Sequence, residues 1–508
     1  MLNIYEPDIT KYTKSAIKAL NTGWVSNHGV YIKKSTDLLK KILDIKHVIL
    51  MSNGTCATHC LFIALKYKYP NIKKIYIPNN CYVAAWNSAR LEYDDDMLSV
   101  MQMSLDTWNI CTDHDYIMSL DQNSAVFIVH NVGNIINVCK LKELRPDLIF
   151  IEDNCEGFTG KYNNYYSGTK SLCSSCSFYG NKIITTGEGG AFFTDDTDIY
   201  NYISRVYSQG MTSTRYIHDV MAYNYRMTNV QAALLYDQLK NFDNIISNKK
   251  ILFNNYENLL TELIKKNKLK LFMKEDNTEN ANWIFNLRLV NNCKSFEETS
   301  EFFRLNNIDI RPFFYPISYH AHLTNIYVPE DFYSQTLNQE VIMIPSSPNL
   351  TYKQQEKIIN VIKLFVRGVE IIKLNKDNLN LLDDFLNNNI PKSFRYFDKR
   401  DKSVIQNHVI TVLVKENDNN KIFGYGHIDK DNNKFWLGVC LLKEYDGLGI
   451  GSMILKYLLE YCNKIGVDEI NLTVDIDNTR GLYLYNKFGF KKISIDDDGG
   501  RIFMRYVK

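Results

Sequence analysis

A chain of 508 residues is longer than one hydrophobic core fills, because cores stop growing near ~250–300 residues, so two or three domains are expected. Hydrophobic residues at 45% and charged residues at 23% exclude wholesale disorder, and a formal net charge of +2 excludes a global attraction to nucleic acid or anionic lipid. Met1-Leu2-Asn3-Ile4-Tyr5-Glu6-Pro7 has no basic stretch leading into an apolar run, and nowhere are ~18 apolar residues continuous; a cytoplasmic protein with small-molecule partners, no nucleic acid and no membrane, is expected.

From about Ile45 to Phe193 short apolar runs alternate with helix-like stretches, and strands are predicted at Lys46–Met51, Lys74–Pro78, Ser124–His130, Leu148–Glu152 and Gly190–Thr194. Such alternation argues for a mostly parallel sheet with helical crossovers, an α/β architecture in which ligands sit at the carboxyl ends of strands. Ser52-Asn53-Gly54-Thr55 ends the first run and opens the helical stretch Ala57–Lys66. Glycine lets a backbone come close, and the free amides of a helix N-terminus hold a phosphate, although a plain turn reads the same way. Asp153 stands just past an apolar strand, where a carboxylate can hold a heterocyclic nitrogen protonated or simply cap a helix. Cys173 and Cys176 have metal spacing but no second pair, so no metal site is expected and the eleven cysteines are read as free thiols.

Lys182 lies in Ser177-Phe178-Tyr179-Gly180-Asn181-Lys182-Ile183-Ile184-Thr185-Thr186-Gly187-Glu188-Gly189-Gly190. A lysine among aromatic, apolar and glycine neighbours is a candidate for desolvation, which lowers an amine pKa and permits Schiff-base chemistry. Thr228-Asn229-Val230-Gln231 matches a capping box, and one long helix is predicted from there to about Lys266. A strand at Trp283–Val290, a helix at Phe296–Leu305 and a strand at Ile308–Phe314 make a smaller α+β unit closing near Val366. After Arg367 a fresh pattern begins, with a helix around Leu379–Asn388 and strands at Val409–Lys415, Ile422–Ile428 and Phe435–Leu441. A helix at Ser452–Lys464, a strand at Glu469–Asp475 and a helix at Arg480–Lys487 complete it. The expected domains are thus 1–240, 241–366 and 367–508.

Over residues 1 to 366 six stretches in order resemble the DegT-like nucleotide-sugar aminotransferases, a branch of the fold-type I pyridoxal-phosphate (PLP) enzymes. They are the Gly54-Thr55 turn, the Asp153 strand end, the Ser177–Gly190 run, Tyr223–Thr228, Arg311-Pro312-Phe313-Phe314-Tyr315-Pro316, and Ile344–Pro348. The resemblance implies that Lys182 carries PLP as a Schiff base, that Asp153 pairs with the pyridine nitrogen, and that Gly54, Thr55 and Ser177 hold the phosphate. It puts Tyr82 on the cofactor ring and Glu156 near the ring oxygen, and it puts Asn224 and Arg226 in a loop reaching the neighbouring subunit's site, hence a homodimer with shared PLP sites. Arg311, Tyr315 and His320 become candidates for sugar or pyrophosphate contacts; Tyr315 and His320 also read as ordinary loop residues. Cys81 stands where the family more often has Thr, and Ala85-Trp86 replaces smaller residues. Relatives that remove a hydroxyl replace the lysine with histidine, so Lys182 implies transamination, with L-glutamate as donor and a nucleotide-linked keto sugar as acceptor. His130-Asn131-Val132-Gly133-Asn134 and the Arg311–Pro316 run look most like enzymes acting on 4-keto-6-deoxyhexoses to make perosamine or viosamine.

Tyr445-Asp446-Gly447-Leu448-Gly449-Ile450-Gly451 follows a predicted strand and precedes an apolar helix, so successive amides are exposed to a diphosphate. With Asn478-Thr479-Arg480-Gly481-Leu482-Tyr483-Leu484-Tyr485-Asn486-Lys487-Phe488-Gly489-Phe490, it resembles the GNAT-type N-acetyltransferases over residues 369 to 508. That family implies an α+β domain using acetyl-CoA, with Leu441 backbone contacts to the pantetheine arm, amides from Gly447, Gly449, Gly451 and Ser452 on the pyrophosphate, Asn478 on the cofactor arm, and Tyr485 protonating the departing thiolate. Tyr485 also reads as one more core aromatic. Asp446 departs from the Arg or Gln usual there and weakens a diphosphate site unless it points away or the amides dominate. Glu444, Asp475 and His427 are open alternatives for the base. The fusion implies an amine made by one half and acetylated by the other; a GNAT half acting on an unrelated amine and a nonenzymatic sensor are the competing readings.

Overall fold

The computed structural model describes residues 1–388, 390–496 and 499–508. Two units divide the chain with interleaved segments: one holds Leu2–Phe296 and Asp309–Gln355, the other Met1, Glu297–Ile308 and Glu356–Lys508.

The first unit is built on seven strands, β1 (His47–Met51), β2 (Ile75–Pro78), β3 (Leu98–Met101), β4 (Ala125–Val129), β5 (Ile149–Asp153), β6 (Ser174–Ser177) and β7 (Gly190–Thr194), in the order β1-β7-β6-β5-β4-β2-β3. The pairs β3–β2, β2–β4, β4–β5 and β5–β6 are parallel, while β7 runs antiparallel to both its neighbours. Alternate residues feed two cores: Val48, Leu50, Val126 and Ile128 face one, while Ile49, Met51, Phe127 and Val129 face the other. Burial on both faces is why these strands read as unbroken apolar runs. β6 escapes that logic. Its Ser-Ser-Cys-Ser sequence is wholly buried, with Ser174 Oγ donating to the Gly168 carbonyl and Ser175 Oγ within 2.9 Å of the Thr58 hydroxyl, so polar side chains are paired inward and leave no hydrophobic signature.

The capping box at Thr228 forms as the sequence suggests, but the single helix expected beyond it is two, α3 (Asn229–Leu239) and α4 (Phe242–Lys265), preceded in the unit by α1 (Gly54–Lys68) and α2 (Val83–Arg90). At the break Asn241 turns its side-chain amide back to the Asp237 carbonyl, the local competition that makes Asn poor in helix interiors. A four-stranded antiparallel sheet, β8 (Leu269–Lys270), β9 (Phe285–Leu289), β10 (Arg311–Pro312) and β11 (Val341–Ile344), has the order β8-β9-β11-β10. The strand expected from Ile308 to Phe314 shrinks to the two-residue edge strand β10, where Pro312 has no N–H to give a further neighbour.

In the second unit seven strands, β12 (Val369–Lys373), β13 (His408–Glu416), β14 (Ile422–Asp431), β15 (Lys434–Leu441), β16 (Glu469–Asp475), β17 (Lys491–Ile495) and β18 (Arg501–Val507), take the order β12-β13-β14-β15-β16-β18-β17. All pairs are antiparallel except β15–β16, which are parallel and in register at Trp436 and Asn471. Beyond that pair the strand ends Leu437–Leu441 and Thr473–Asp475 line a cleft. Helices α5 (Phe296–Leu305), α8 (Ile450–Lys464) and α9 (Thr479–Lys487) belong to this unit from Glu297 on, with α6 (Tyr352–Arg367) entering it at Glu356 and α7 (Asn380–Leu386) lying between β12 and β13. Among the described residues no helix is long and apolar enough to cross a membrane.

Candidate active sites

Gly54 begins α1 directly after β1, and the Asn53 side chain caps the helix by accepting from Cys56 N–H. A β-carbon on Gly54 would come within 2.8 Å of Ser177 Cβ, and one on Gly190 within 2.5 Å of the Asn53 carbonyl oxygen. The turn, the end of β6 and the start of β7 therefore close on one another around a helix N-terminus, with Thr55 exposed beside it and Ser177 buried. Free amides at a helix N-terminus closed in this way have the geometry that suits a phosphate.

Asp153 ends β5, level with Val129 of β4 and Ser175 of β6. One carboxylate oxygen accepts from Cys155 N–H at 2.9 Å, and the other faces the Thr58 hydroxyl at 3.4 Å. Lys182 is half-buried with its Nζ 3.9 Å from the centre of the Trp283 ring. Trp283 is fixed by donating its indole N–H to the Asn181 carbonyl, and Tyr5 donates its hydroxyl to the Lys182 carbonyl at 3.0 Å. Neither aromatic was recognisable as a site residue, since they stand far from Lys182 in sequence and outside the six matched stretches. Glu156 is buried and accepts from Val132 N–H at 2.7 Å. Burial pushes its carboxyl up to about 7, with the Lys182 charge acting the other way. Val132 is a β-branched residue at φ 52°, a costly left-handed conformation held by that hydrogen bond and by Gly133 at φ 82°. Behind them His130 and Glu152 are fully buried and 2.9 Å apart; burial raises the Glu152 carboxyl, but the His130 bond and charge outweigh it and the net shift is downward.

The remaining residues singled out in this half are less concentrated. Tyr82 precedes α2 as an exposed ring 6.5 Å from Phe314, whose carbonyl accepts from Asn80. Tyr315 packs near Tyr319, and His320 lies 5.2 Å from the buried Trp86 ring. Arg311 pairs with Asp309 at 3.0 Å. Arg226 bridges by its backbone to Met51, and its guanidinium donates to Ser208 and Gln209; Asn224 bridges to Ser208 and is exposed.

In the second unit Leu441, Gly447, Gly449, Gly451, Ser452, Asn478 and Tyr485 all line one cleft of about 1130 Å³. Gly447 at φ 76° and Gly449 at φ 73° turn the loop into the N-terminus of α8, a conformation that side-chain-bearing residues avoid. Asn478 caps α9 by accepting from Gly481 N–H, and burial pushes the Tyr485 hydroxyl up to about 12. Asp446 pairs with Arg480 of α9 at 2.7 Å, so its charge is met by a cation that the loop sequence itself does not contain. Of the three open base positions, Glu444 pairs with Lys421, Asp475 pairs with both Arg395 and Arg501, and His427 is buried in the cleft wall.

Lys182 close enough for its charge to act on the buried Glu156, with Asp153 and a closed helix N-terminus at the carboxyl ends of parallel strands, is an arrangement that fits pyridoxal phosphate in a fold-type I enzyme. The chain belongs to the DegT/DnrJ/EryC1/StrS aminotransferase family, which residues 8–363 match, and residues 378–490 match the acetyltransferase (GNAT) family, whose domains use acetyl-CoA. It is 29% identical to the GDP-perosamine synthase of Escherichia coli O157:H7 over 355 residues, 69% of this chain and 94% of that protein. It is also 29% identical to the GDP-perosamine synthase of Vibrio cholerae over 384 residues, covering 72% and 98% of the two chains. In fold it is similar to Helicobacter pylori PseC, an aminotransferase involved in the biosynthesis of pseudoaminic acid, with a TM-score of 0.63, 19% identity and coverage of 70% and 96%. The chain is thus a PLP-dependent sugar aminotransferase with a C-terminal acetyltransferase domain.

Proposed function

We propose that this chain forms a 4-amino-4,6-dideoxyhexose of the perosamine or viosamine type on a nucleotide carrier, taking the amine from L-glutamate, and then acetylates that amine with acetyl-CoA. The observation carrying the first half is similarity over 94% and 98% of the length of two GDP-perosamine synthases, in a chain where the Lys182 and Asp153 charges both act on the buried Glu156 carboxyl. The gathering of seven residues of the GNAT motifs in one cleft supports the second half.

Bound pyridoxal phosphate supplies an electron sink that makes the donor's α-hydrogen acidic. Asp153 keeps the pyridine nitrogen protonated, and the amides of Gly54 and Thr55 with the hydroxyls of Thr55 and Ser177 hold the phosphate. Tyr82 and Glu156 would make the remaining contacts to the cofactor, the first to its ring and the second to its oxygen. Lys182 Nζ removes the proton from the α-carbon of glutamate and, in the return half-reaction, delivers a proton to C4 of the sugar. Arg311, Tyr315 and His320 contact the sugar or its pyrophosphate. Asn224 and Arg226 complete the site of a second copy, so the active species is a cytoplasmic homodimer. In the second cleft Leu441 and Asn478 position the pantetheine arm, the amides from Gly447 to Ser452 hold the pyrophosphate, and Tyr485 protonates the leaving sulfur. Working parts of 1–240, 241–366 and 367–508 follow from this division of labour.

The test is to incubate the protein with PLP, glutamate and a panel of nucleotide-linked 4-keto-6-deoxyhexoses, with and without acetyl-CoA, and to weigh the products by mass spectrometry. The expected result is an amine that gains an acetyl mass only when acetyl-CoA is present. Absence of an amine from every keto sugar overturns the substrate assignment.

A further inference from the structure

The cleft of the second unit contains a polar group that the cofactor motifs do not use. Tyr396, His408, His427 and Asp429 all line it together with Tyr485. His427 and Asp429 are two residues apart on β14 and so share a face, and His427 is paired in register with Gly438 of β15. A β-carbon on Gly438 would sit 2.2 Å from the imidazole Cε1 and 2.7 Å from Nδ1, so the ring lies over β15 only because residue 438 is glycine. β15 is also the strand whose end, Leu441, borders the pyrophosphate loop.

The hydrogen bonds around the ring run in one direction. His408 stands 2.6 Å from the Tyr396 hydroxyl, which donates to Asp429 at 2.8 Å, and the other His408 nitrogen is 2.7 Å from the Thr411 hydroxyl. His427 stacks on His408 at 4.6 Å and 21°, and its Nε2 faces an Asp429 oxygen at 3.9 Å. Its Nδ1 is buried with no hydrogen-bond partner among the described residues. Asp429 favours the tautomer with the proton on Nε2, which leaves Nδ1 a bare acceptor. A buried polar atom without a partner is unfavourable, and a ligand donor would remove that cost. Two histidines and a carboxylate with ligand atoms within 4.8 Å also suggest a metal, but near-parallel stacked rings aim their in-plane lone pairs side by side rather than at one point.

We propose that His427 is the base of the acetyl transfer, accepting at Nδ1 the proton shed by the acceptor amine. This rests on reading the cleft as an acetyltransferase site. The amine nitrogen attacks the thioester carbonyl, the N–C bond forms and the C–S bond breaks; the nitrogen's proton goes to His427, the sulfur leaves with a proton from Tyr485, and solvent returns the proton from one to the other. Burial, with His408 and the Arg400 charge, holds the His427 imidazole well below its usual range, so it enters the reaction unprotonated. The other groups facing it are Asp429, Tyr396 and Tyr425, and Asp429 is placed to balance the imidazolium that forms.

The experiment uses full-length protein with acetyl-CoA and three acceptors: a nucleotide-linked 4-amino-4,6-dideoxyhexose, hydroxylamine, and water through thioester hydrolysis. His427→Gln is expected to slow acetylation of the amino sugar about 10²–10⁴-fold at pH 7 with KM for acetyl-CoA unchanged, and to slow hydrolysis similarly. Its residual rate is expected to climb about tenfold per pH unit as the amine loses its proton in bulk water, while with hydroxylamine, already unprotonated at neutral pH, the slowed rate is expected to stay level with pH. His427→Asn serves in the same way if the glutamine variant does not fold. A variant with wild-type rate and pH profile, weakened acetyl-CoA binding, a residual rate with hydroxylamine that climbs with pH as steeply as with the amino sugar, or stoichiometric zinc whose chelation abolishes transfer would each overturn the proposal. If the wild type hydrolyses acetyl-CoA, depends on His427 in doing so, and yet acetylates no amino sugar, the acceptor assignment falls and the base stands. A wild type with neither activity overturns both.

Discussion

Asp446 and Arg480 make sense only together. An acid in a loop meant for a diphosphate would repel its ligand, yet the guanidinium from the first turn of α9 sits 2.7 Å away and neutralises it. Exposed pairs of this kind are worth ~0.2–1 kcal/mol, so Arg480→Ala should raise KM for acetyl-CoA about two- to fivefold, and Asp446→Asn in that background should bring it back, both read from initial rates. Glu156 gives a pH signature. Its folded value, about 7, lies above the ordinary 4.5, so the folded state keeps the proton longer than the unfolded one. Stability from this group is therefore complete below pH 4.5, falls as pH rises to about 7, and is level above that. Glu156→Gln should accordingly raise the unfolding free energy most above pH 7, by on the order of 2–3 kcal/mol, with the gain gone near pH 4.5; urea titrations at both pH values decide it. Lys182, Asp153 and Ser177 stand in short motifs that single them out as candidates, whereas Trp283, Tyr5 and Arg480 reach their partners only through folding.

Among elements, α3 shows a local rule surviving intact. The Thr228 side chain accepts from Gln231 N–H while the Gln231 side chain accepts from Thr228 N–H. Thr228→Ala should lower stability by about 1 kcal/mol in chemical denaturation without changing Lys182-dependent amine formation. Strands β1, β2, β4, β5 and β7 were readable from apolar runs, and β13 to β16 likewise, because burial on one or two faces writes a period into the sequence. β6 was not, since its buried serines are satisfied by neighbours that folding supplies. The Lys240–Asn241 break inside a continuous helical pattern was equally silent; there Asn241 gives its side-chain amide to the Asp237 carbonyl.

At the scale of the molecule, the second unit draws on three stretches of chain, including Glu297–Ile308. Phe302 packs on its core, Glu301 pairs with Lys456 at 3.1 Å, and a β-carbon on Gly449 would meet the Asn306 side chain. Leu364 is also part of that core, although a boundary drawn at residue 366 leaves it outside. A fragment 356–508 should therefore exceed 367–508 in stability by about 2–4 kcal/mol, as expected for burying Leu364 and its neighbours, when thermal melts are compared. The same interleaving bears on how such a protein can be recombined. An exchange that imports a new acetyltransferase with a single crossover cannot carry over residues 297–308, so the incoming half would meet a helix selected against a different partner. Productive grafts should come with compensating changes on α5, making that helix a record of which halves have been paired for long.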